Sequence, residues 1–324
     1  MKKLSMSVFT DEELKEIHEA TMDVLMNPGL RVDHDGARAL LKEKGCIVDD
    51  ETRVVKFPRE LVEKCIESTP ASFFMYGRDG KHPVEMRSDG SKTNYLTFGV
   101  GTEYAEYVGT GQVNVRPSTL NDLANISKLT SALDNIDWMC APVSAMDLAI
   151  ETDKCRPLRE WKAIFTNFVK PLMADPDPRY IKEYFEMEVA MYNGDRERAL
   201  KEPISIMGCC PSSPLQLDEG FGMFALEAPK YGFPMMVLSM AMGAASAPIN
   251  IAGTLIVHNA EVLAGITLIQ CAFPGAPCFY GSSTTAFDFY SNSAPVGSPE
   301  LALISSGVAQ LGMYYKIPTV VAGT

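Results

Sequence analysis

The feature that most constrains the fold is a change of pattern near residue 117. From there, short apolar runs alternate with longer stretches of helical periodicity. The runs predicted to be strands are 136–141, 163–168, 203–209, 234–240, 277–281 and 317–322. The stretches predicted to be helices are 118–133, 152–162, 178–199, 217–231, 248–272 and 298–315. Strands that are each followed by a helix, and that read as continuous apolar runs, are typical of parallel βα units buried on both faces.

These units predict the α/β class and a TIM (β/α)8-type barrel domain over 117–324. The barrel is incomplete in this chain, because only about six βα units can be counted against the eight of a closed barrel. A doubly wound open sheet is the alternative, and it predicts a glycine-rich turn early in the α/β part. Neither G-x-G-x-x-G nor G-x-x-x-x-G-K-[ST] occurs in the sequence, so nucleotide binding of those types has no support.

Residues 1–116 are predicted to form an N-terminal α+β region. Thr10 and Glu13 form a capping-box pattern at the start of a helix, which Asn27-Pro28-Gly29 ends. Further helices are predicted over 36–44 and 58–70. From about residue 71 the pattern is strand-like and is interrupted by Gly-containing turns.

Charge and patterning exclude two classes of partner. Lys and Arg total 29 against 41 Asp and Glu, a net charge of -12, which disfavours binding to nucleic-acid phosphates. The most apolar stretches, 234–273 and 300–322, are interrupted by Pro, Gly, Asn, His or Glu, so no membrane span is predicted. The N-terminus has no apolar signal core, and we expect a cytoplasmic protein.

The cysteines and histidines do not predict a metal site. The sequence has eight cysteines without a C-x-x-C pair, and its four histidines lie far apart. His258 and Glu261 lie three apart on one face of the predicted helix 248–272, which favours a buried hydrogen-bonded pair or a subunit contact over a metal site. Cys209 and Cys210, at a strand end, are the only plausible nucleophilic thiols, but no His is close in sequence.

Function in an α/β barrel lies in the loops that follow the strands. Here those loops are small, hydroxylated and nearly uncharged, which favours a narrow, mostly apolar cavity over a phosphate or metal pocket. Asp288, flanked by Phe287, Phe289 and Tyr290, has the composition of an alkylammonium site, although a loop Asp beside core aromatics gives the same pattern. A weaker candidate of the same kind consists of Glu103, Tyr104 and Tyr107.

Several motifs resemble the trimethylamine methyltransferase family over essentially the whole chain. The longest is Ile251-Ala-Gly-Thr-Leu-Ile-Val-His-Asn-Ala-Glu-Val-Leu-Ala-Gly-Ile266. The others are Gly29-Leu-Arg-Val-Asp33, Pro58-Arg-Glu-Leu-Val62, Tyr76-Gly-Arg-Asp79, Asn135-Ile-Asp137, Pro274-Gly-Ala-Pro277, Tyr280-Gly-Ser-Ser283 and Val296-Gly-Ser-Pro-Glu-Leu-Ala302. Their joint occurrence is highly specific.

The resemblance implies a TIM-barrel methyltransferase that moves a methyl group from trimethylamine to the cobalt of a cognate corrinoid protein, in methylamine-dependent methanogenesis. It implies that the corrinoid is carried by this partner and that no cofactor is tightly bound to the chain itself. In this interpretation the strand-end residues that line the substrate cavity are Ser212, Ser213, Met240, Tyr280 and Asp288.

The resemblance also implies a catalytic residue. In the archaeal trimethylamine enzymes the element Val-Ala-Gly-Thr precedes pyrrolysine, which an in-frame amber codon encodes, and the present sequence has Val321-Ala-Gly-Thr324. Pyrrolysine is therefore expected immediately after Thr324, inside the barrel mouth, and the fragment is expected to be inactive without it. The alternatives are a pyrrolysine-free homologue that acts on glycine betaine or another quaternary amine, and a non-catalytic fragment that binds the corrinoid protein. Close helix contacts through 248–272 favour a homo-oligomer.

Overall fold

A computed structural model describes residues 7–148, 154–174 and 176–322. The helices in these ranges are α1 Asp11–Met26, α2 Asp35–Glu43, α3 Arg59–Ser68, α4 Leu120–Ser131, α5 Arg156–Asn167, α6 Ile181–Met191, α7 Arg196–Lys201, α8 Glu219–Glu227, α9 Ile251–Ala272 and α10 Pro299–Tyr315. The capping box at Thr10 and Glu13 is confirmed, because Thr10 Oγ1 accepts the Glu13 N–H and the Glu13 carboxylate accepts the Thr10 N–H.

The strands are short. They are β1 Leu30–Val32, β2 Ile47–Asp49, β3 Val54–Lys56, β4 Ser72–Met75, β5 Val84–Arg87, β6 Glu103–Gly109, β7 Gln112–Pro117, β8 Met139–Cys140, β9 Leu172–Ala174, β10 Ser205–Cys209, β11 Gln216–Leu217, β12 Met235–Ser239, β13 Met242–Gly243, β14 Cys278–Ser282, β15 Thr285–Ala286 and β16 Thr319–Val321.

The main sheet is parallel and forms half of a barrel. Its strands lie side by side in the order in which they occur along the chain, β8-β9-β10-β12-β14-β16. The intervening strands β11, β13 and β15 pair outside this sheet. The paired residues alternate between an inner, concave face and an outer face covered by helices. Met236 lies opposite Gly208 and Phe279 on the inner face, and the next inner pairs join Leu238, Gly281 and Val320.

One predicted strand is wrong. Residues 163–168 mostly belong to α5, whose Trp161, Ile164 and Phe165 are buried at helical spacing. The strand of this unit is β9, only a few residues further on. The predicted strand 136–141 is reduced to β8, and the first residues of the predicted helix 152–162 lie outside the described residues.

The inside of the half-barrel is filled at the end where the strands begin. Trp138 stacks on Phe279 with ring centroids 6.1 Å apart, and Phe73 meets Phe279 edge-on at 4.9 Å. The antiparallel hairpin of β4 and β5 supplies Phe73 together with the buried Met75 and Met86. The hairpin therefore closes this end of the interior with apolar side chains.

The N-terminal region is joined to the barrel region by strand pairing. β1 pairs in parallel with β11, which follows β10, and in antiparallel with β3. Helices α1 and α3 pack on α9. The division into 1–116 and 117–324 remains a prediction.

Helix α9 is the central helix of the fold. Within the described residues it is the one helix long and apolar enough to cross a membrane by length and composition, but 83% of its most apolar stretch is buried inside the protein. It contacts α1, α2, α3, α8 and α10 as well as β12. Its composition is therefore that of a core helix.

Candidate functional site

A cavity of about 660 Å³ opens at the end of the half-barrel where the strands finish. Its lining is mainly aliphatic and sulfur-containing, with the few hydroxyls supplied by Thr97, Ser282 and Ser283. The lining residues are Leu96, Thr97, Phe98, Gly99, Val100, Cys140, Met173, Pro176, Gly208, Cys210, Met236, Leu238, Met240, Ser282, Ser283, Val296, Val320, Val321 and Ala322. Within the described part of the chain, no charged side chain belongs to this lining.

Gly208, on the inner face, helps to keep this space open. A Cβ on Gly208 would lie 3.3 Å from Met173 Sδ, at the cavity wall. A Cβ on Gly281 would lie 2.8 Å from the Val237 carbonyl oxygen and 3.1 Å from Leu238 Cα, so a side chain has no room there. The interior is thus closed by large side chains at one end and left open at the other.

A segment that the sequence analysis did not assign to the site forms one wall. Residues 96–101 run beside β8 through parallel bridges that join Leu96 to Trp138 and Gly101 to Val143. Thr97 Oγ1 donates to the Cys140 carbonyl oxygen at 2.5 Å. This segment contributes much of the cavity lining, and its only signal in the sequence is a Gly-rich apolar stretch.

The buried carboxylate of Glu261, on α9, connects two loops at the cavity. Its Oε2 accepts hydrogen bonds from Ser213 Oγ at 2.8 Å and from Ser239 Oγ at 2.6 Å. Its Oε1 accepts the Leu215 N–H at 2.9 Å. Burial raises the pKa of Glu261, and these hydrogen bonds act in the opposite direction.

His258 makes a similar connection one helical turn earlier. Its Nδ1 lies 3.0 Å from Thr284 Oγ1, next to the end of β14. Burial lowers the pKa of His258 to about 3, so the ring is neutral near pH 7. Its Nε2 is buried without a hydrogen-bond partner among the described residues. The expected buried pair of His258 and Glu261 is therefore replaced by two separate connections from α9 to strand ends.

Of the five residues predicted to line the cavity, the structure places Met240 in its wall, with 53% of the residue exposed. Ser213 is turned toward Glu261, and Ser212 Oγ lies 3.3 Å from an Asp218 carboxylate oxygen. Tyr280 is on the outer face of β14, fully buried, and its hydroxyl donates to Asn259 Oδ1 at 2.7 Å. Tyr280 is thus separated from the cavity by its own strand, because residues alternate between the two faces of a sheet.

Asp288 also lies outside the cavity wall. Its carboxylate accepts the Tyr290 N–H at 2.9 Å and the Ser291 hydroxyl at 2.6 Å, and these hydrogen bonds hold its pKa below the usual range. Phe289 and Tyr290 are exposed, 69% and 100%. The carboxylate therefore stabilises its own loop, and the aromatic rings do not enclose it.

The remaining candidates are also located. Cys209 is buried on the outer face, and burial raises the pKa of its thiol well above the usual value, whereas Cys210 lines the cavity. Tyr104 lies on the exposed hairpin of β6 and β7, its ring 4.9 Å from the Arg116 guanidinium, and Glu103 and Tyr107 are on the same strand. Thr324, expected inside the barrel mouth, lies outside the described residues. No group of three or more His, Cys, Asp or Glu that could hold a metal is found in residues 7–148, 154–174 and 176–322.

The fold is shared with a solved structure. The monomethylamine methyltransferase of Methanosarcina barkeri superposes with a TM-score of 0.61 at 10% identity, over 97% of this chain and 62% of that chain. At this identity the similarity shows the fold alone.

Sequence comparison is more specific. The trimethylamine methyltransferase MttB1 of Methanosarcina acetivorans is 44% identical over 99% of this chain and 64% of its own length. A glycine betaine methyltransferase of Desulfitobacterium hafniense is 29% identical over 97% of this chain and 63% of its own. The chain thus spans a little under two thirds of the relatives that it matches. The family described as trimethylamine methyltransferase (MTTB) matches residues 2–324, and the chain belongs to this family.

Proposed function

We propose that the protein transfers a methyl group from a small tertiary amine, such as trimethylamine, to the cobalt of a corrinoid carried by a partner protein. Family membership supports methyl transfer, and the cavity supports the choice of substrate. The observation that carries this choice is the uncharged, aliphatic and sulfur-containing lining at the finishing ends of the strands.

The lining favours an uncharged amine. An ammonium ion would lose its hydration in the cavity without a counter-charge from the described lining residues, and burial disfavours a charged form. The free base of trimethylamine has three methyl groups and one lone pair, which match an apolar wall with a few hydroxyls. The carboxylate of glycine betaine would need a cation or several donors, and no Lys or Arg belongs to the described lining.

The mouth of the cavity fits the approach of a partner. Its exposed apolar residues are Phe98, Val100, Met240 and Val296, between 42% and 66% exposed. When bound to the partner, the corrinoid would supply a nucleophilic cobalt that accepts the methyl group. Transfer breaks an N–CH₃ bond, and the nitrogen keeps that electron pair and becomes neutral only if it has first gained a proton or a fourth substituent. An electrophile such as the pyrrolysine that the resemblance implies would supply this activation by bonding to the lone pair of the bound free base. The residues of this chain would bind and orient the amine and exclude water from it.

Three finer expectations belong to this proposal. The half-barrel follows the (β/α)8 plan, because neighbouring strands succeed one another along the chain with helices between them. A cytoplasmic location and a homo-oligomeric state also remain predictions.

The proposal can be tested with the chain labelled at its methionine methyl groups with ¹³C. Met173, Met236 and Met240 line the cavity, so their NMR signals, assigned by Met-to-Leu substitution, should shift when trimethylamine is added. If the free base is the form that binds, affinity expressed per total amine should rise about tenfold per pH unit below the pKa of the amine.

Tetramethylammonium and glycine betaine are the comparison ligands. Both should bind more weakly than trimethylamine at high pH. Tighter binding of glycine betaine than of trimethylamine would instead favour glycine betaine as the substrate, as in the name of the relative from Desulfitobacterium hafniense. If none of the three ligands shifts the cavity methyl groups, the proposed function is wrong. Methylation of the reduced corrinoid partner, followed by its absorbance, then tests transfer itself. Because the fragment is expected to be inactive without pyrrolysine, this assay needs a form of the protein that contains it.

A further inference from the structure

We propose that Glu261 is a positioning residue, which orients the two loops that form one side of the cavity. The inference rests on the proposed function, in that the cavity is taken as the substrate site. Glu261 lies on the opposite side of the sheet from the cavity and is fully buried. It therefore acts through the loops and not on the substrate.

The geometry that supports this role is the convergence of both loops on one carboxylate. The Ser213 hydroxyl and the Leu215 N–H belong to the loop after β10, which also places Cys210 in the cavity wall. The Ser239 hydroxyl is at the end of β12, and the next residue, Met240, lines the cavity. Each connection therefore lies within five residues of a side chain that shapes the site.

The helix that carries Glu261 is a rigid support for these loops. Sixteen residues of α9 are buried, and the helix packs against five other helices and the main sheet. Its hydrogen bonds thus fix the loops relative to a largely buried helix.

The role needs hydrogen-bond acceptors and donors rather than a negative charge. In a Glu261→Gln variant, the amide oxygen can accept the Leu215 N–H while the amide NH₂ donates to the two serine hydroxyls, which can rotate to accept. A Glu261→Leu variant has similar volume and makes none of these bonds. The pair separates a positioning role, which Gln preserves, from a role that requires charge.

Glu188 provides a matched control at the other end of the same strand. It is fully buried on α6, and its carboxylate accepts the Ser205 N–H at 2.7 Å and the Ile204 N–H at 3.2 Å, where β10 begins. A Glu188→Leu variant removes a buried carboxylate from two backbone donors without touching either loop. This variant shows how far a general loss of stability alone changes hydrogen exchange and ligand affinity.

Two measurements on the full chain test the inference. Hydrogen exchange of the peptide 211–217 should accelerate on the order of tenfold in Glu261→Leu and stay near the wild-type rate in Glu261→Gln and Glu188→Leu. The affinity for trimethylamine, from the ¹³C-methyl signals, should fall at least about fivefold in Glu261→Leu only. If Glu261→Leu does not fold, Ser213→Ala, which removes one of the three bonds, should change both measurements in the same direction by a smaller factor.

The outcomes separate this inference from the proposed function. Unchanged exchange in Glu261→Leu or Ser213→Ala would overturn the inference whatever the ligand does, and so would faster exchange with wild-type affinity. If the wild type does not bind trimethylamine, the proposed function fails. The ¹³C-methyl chemical shift of Met240, measured without ligand, then decides the inference. A shift that differs from wild type in Glu261→Leu but not in Glu188→Leu supports the inference, and an unchanged shift in Glu261→Leu refutes it.

Discussion

The two ends of the half-barrel differ in how their interior is filled. At the end where the strands begin, Trp138 and Phe279 stack and a hairpin closes the space with Phe73 and Met75. At the end where the strands finish, a cavity of about 660 Å³ remains, and Gly208 is one of its lining residues. The same six strands thus carry a packed core at one end and a site at the other.

The buried polar groups differ in the same way. At the packed end, Glu188 accepts the backbone N–H groups of Ile204 and Ser205, where β10 begins. At the open end, Glu261 binds side chains and backbone from two separate loops. Stability and site geometry are therefore supported by different residues, and they can be perturbed separately.

The largest expected effect is at the packed end. Trp138→Ala should lower the free energy of unfolding by about 3–5 kcal/mol, because it removes a 2% exposed ring and leaves a void beside Phe279. Phe98→Ala, at the open rim with 64% exposure, should change it by less than about 0.5 kcal/mol. Denaturant unfolding of both variants measures these free energies. Similar losses of stability in the two variants would contradict the difference between the two ends.

The second effect is a pH dependence at the packed end. Burial raises the pKa of Glu188 to about 7, so the folded state holds a proton that the unfolded state releases near pH 4.5. Its contribution to stability is present below pH 4.5 and is lost as the pH rises through 7. This contribution should total about 3 kcal/mol at most, at 1.4 kcal/mol per pKa unit.

The test compares the free energy of unfolding of the wild type with that of Glu188→Gln at each pH. A comparison is needed because His258, whose pKa is lowered to about 3, makes the fold more stable as the pH rises and would mask the effect of Glu188 in the wild type alone. The variant should gain stability relative to wild type between pH 5 and pH 8. Gln has a single carbonyl oxygen, so one of the two backbone N–H groups loses its acceptor. This loss lowers the free energy of unfolding of the variant by an amount that does not depend on pH. Parallel stability curves over this range would contradict the prediction.

The smallest of the three effects contrasts the two glycines. Gly281→Ala should cost about 1–3 kcal/mol, because its Cβ would meet rigid backbone atoms of β12. Gly208→Ala should change stability little, since its closest contact is the flexible Met173 side chain, but should weaken trimethylamine binding by narrowing the cavity. Calorimetry and the methyl NMR titration measure both, and equal destabilisation by the two substitutions would show that the surroundings of Gly208 are as rigid as those of Gly281.

Much of the fold could be predicted because four of the parallel strands are clear apolar runs. The predicted strands 203–209, 234–240, 277–281 and 317–322 overlap β10, β12, β14 and β16. The run at 163–168 was misassigned although Trp161, Ile164, Phe165 and Phe168 recur at helical spacing, a signal that the sequence did contain. β9 is only three residues long and offers too little pattern for an assignment.

The site was predicted less well, for a different physical reason. The loops that follow the strands were identified, but the direction of each side chain depends on strand register, which sequence alone does not determine. Tyr280 and Phe279 are neighbours in sequence, yet Tyr280 faces α9 and Phe279 faces the interior. The wall formed by 96–101 comes from a region distant in sequence, and no local motif connects it with β8.

The sulfur content of the cavity lining has a consequence for the environment that the protein tolerates. Met173, Met236 and Met240 contribute thioethers to the wall, and Cys140 and Cys210 contribute thiols. Oxidation of a thioether to a sulfoxide replaces an apolar, flexible group with a strongly polar one. Met240, the most exposed of these methionines, would react first, and its sulfoxide would narrow the mouth and offer a hydrogen-bond acceptor to water. Oxidants would thus make the cavity more polar while the aromatic core at the other end stayed intact.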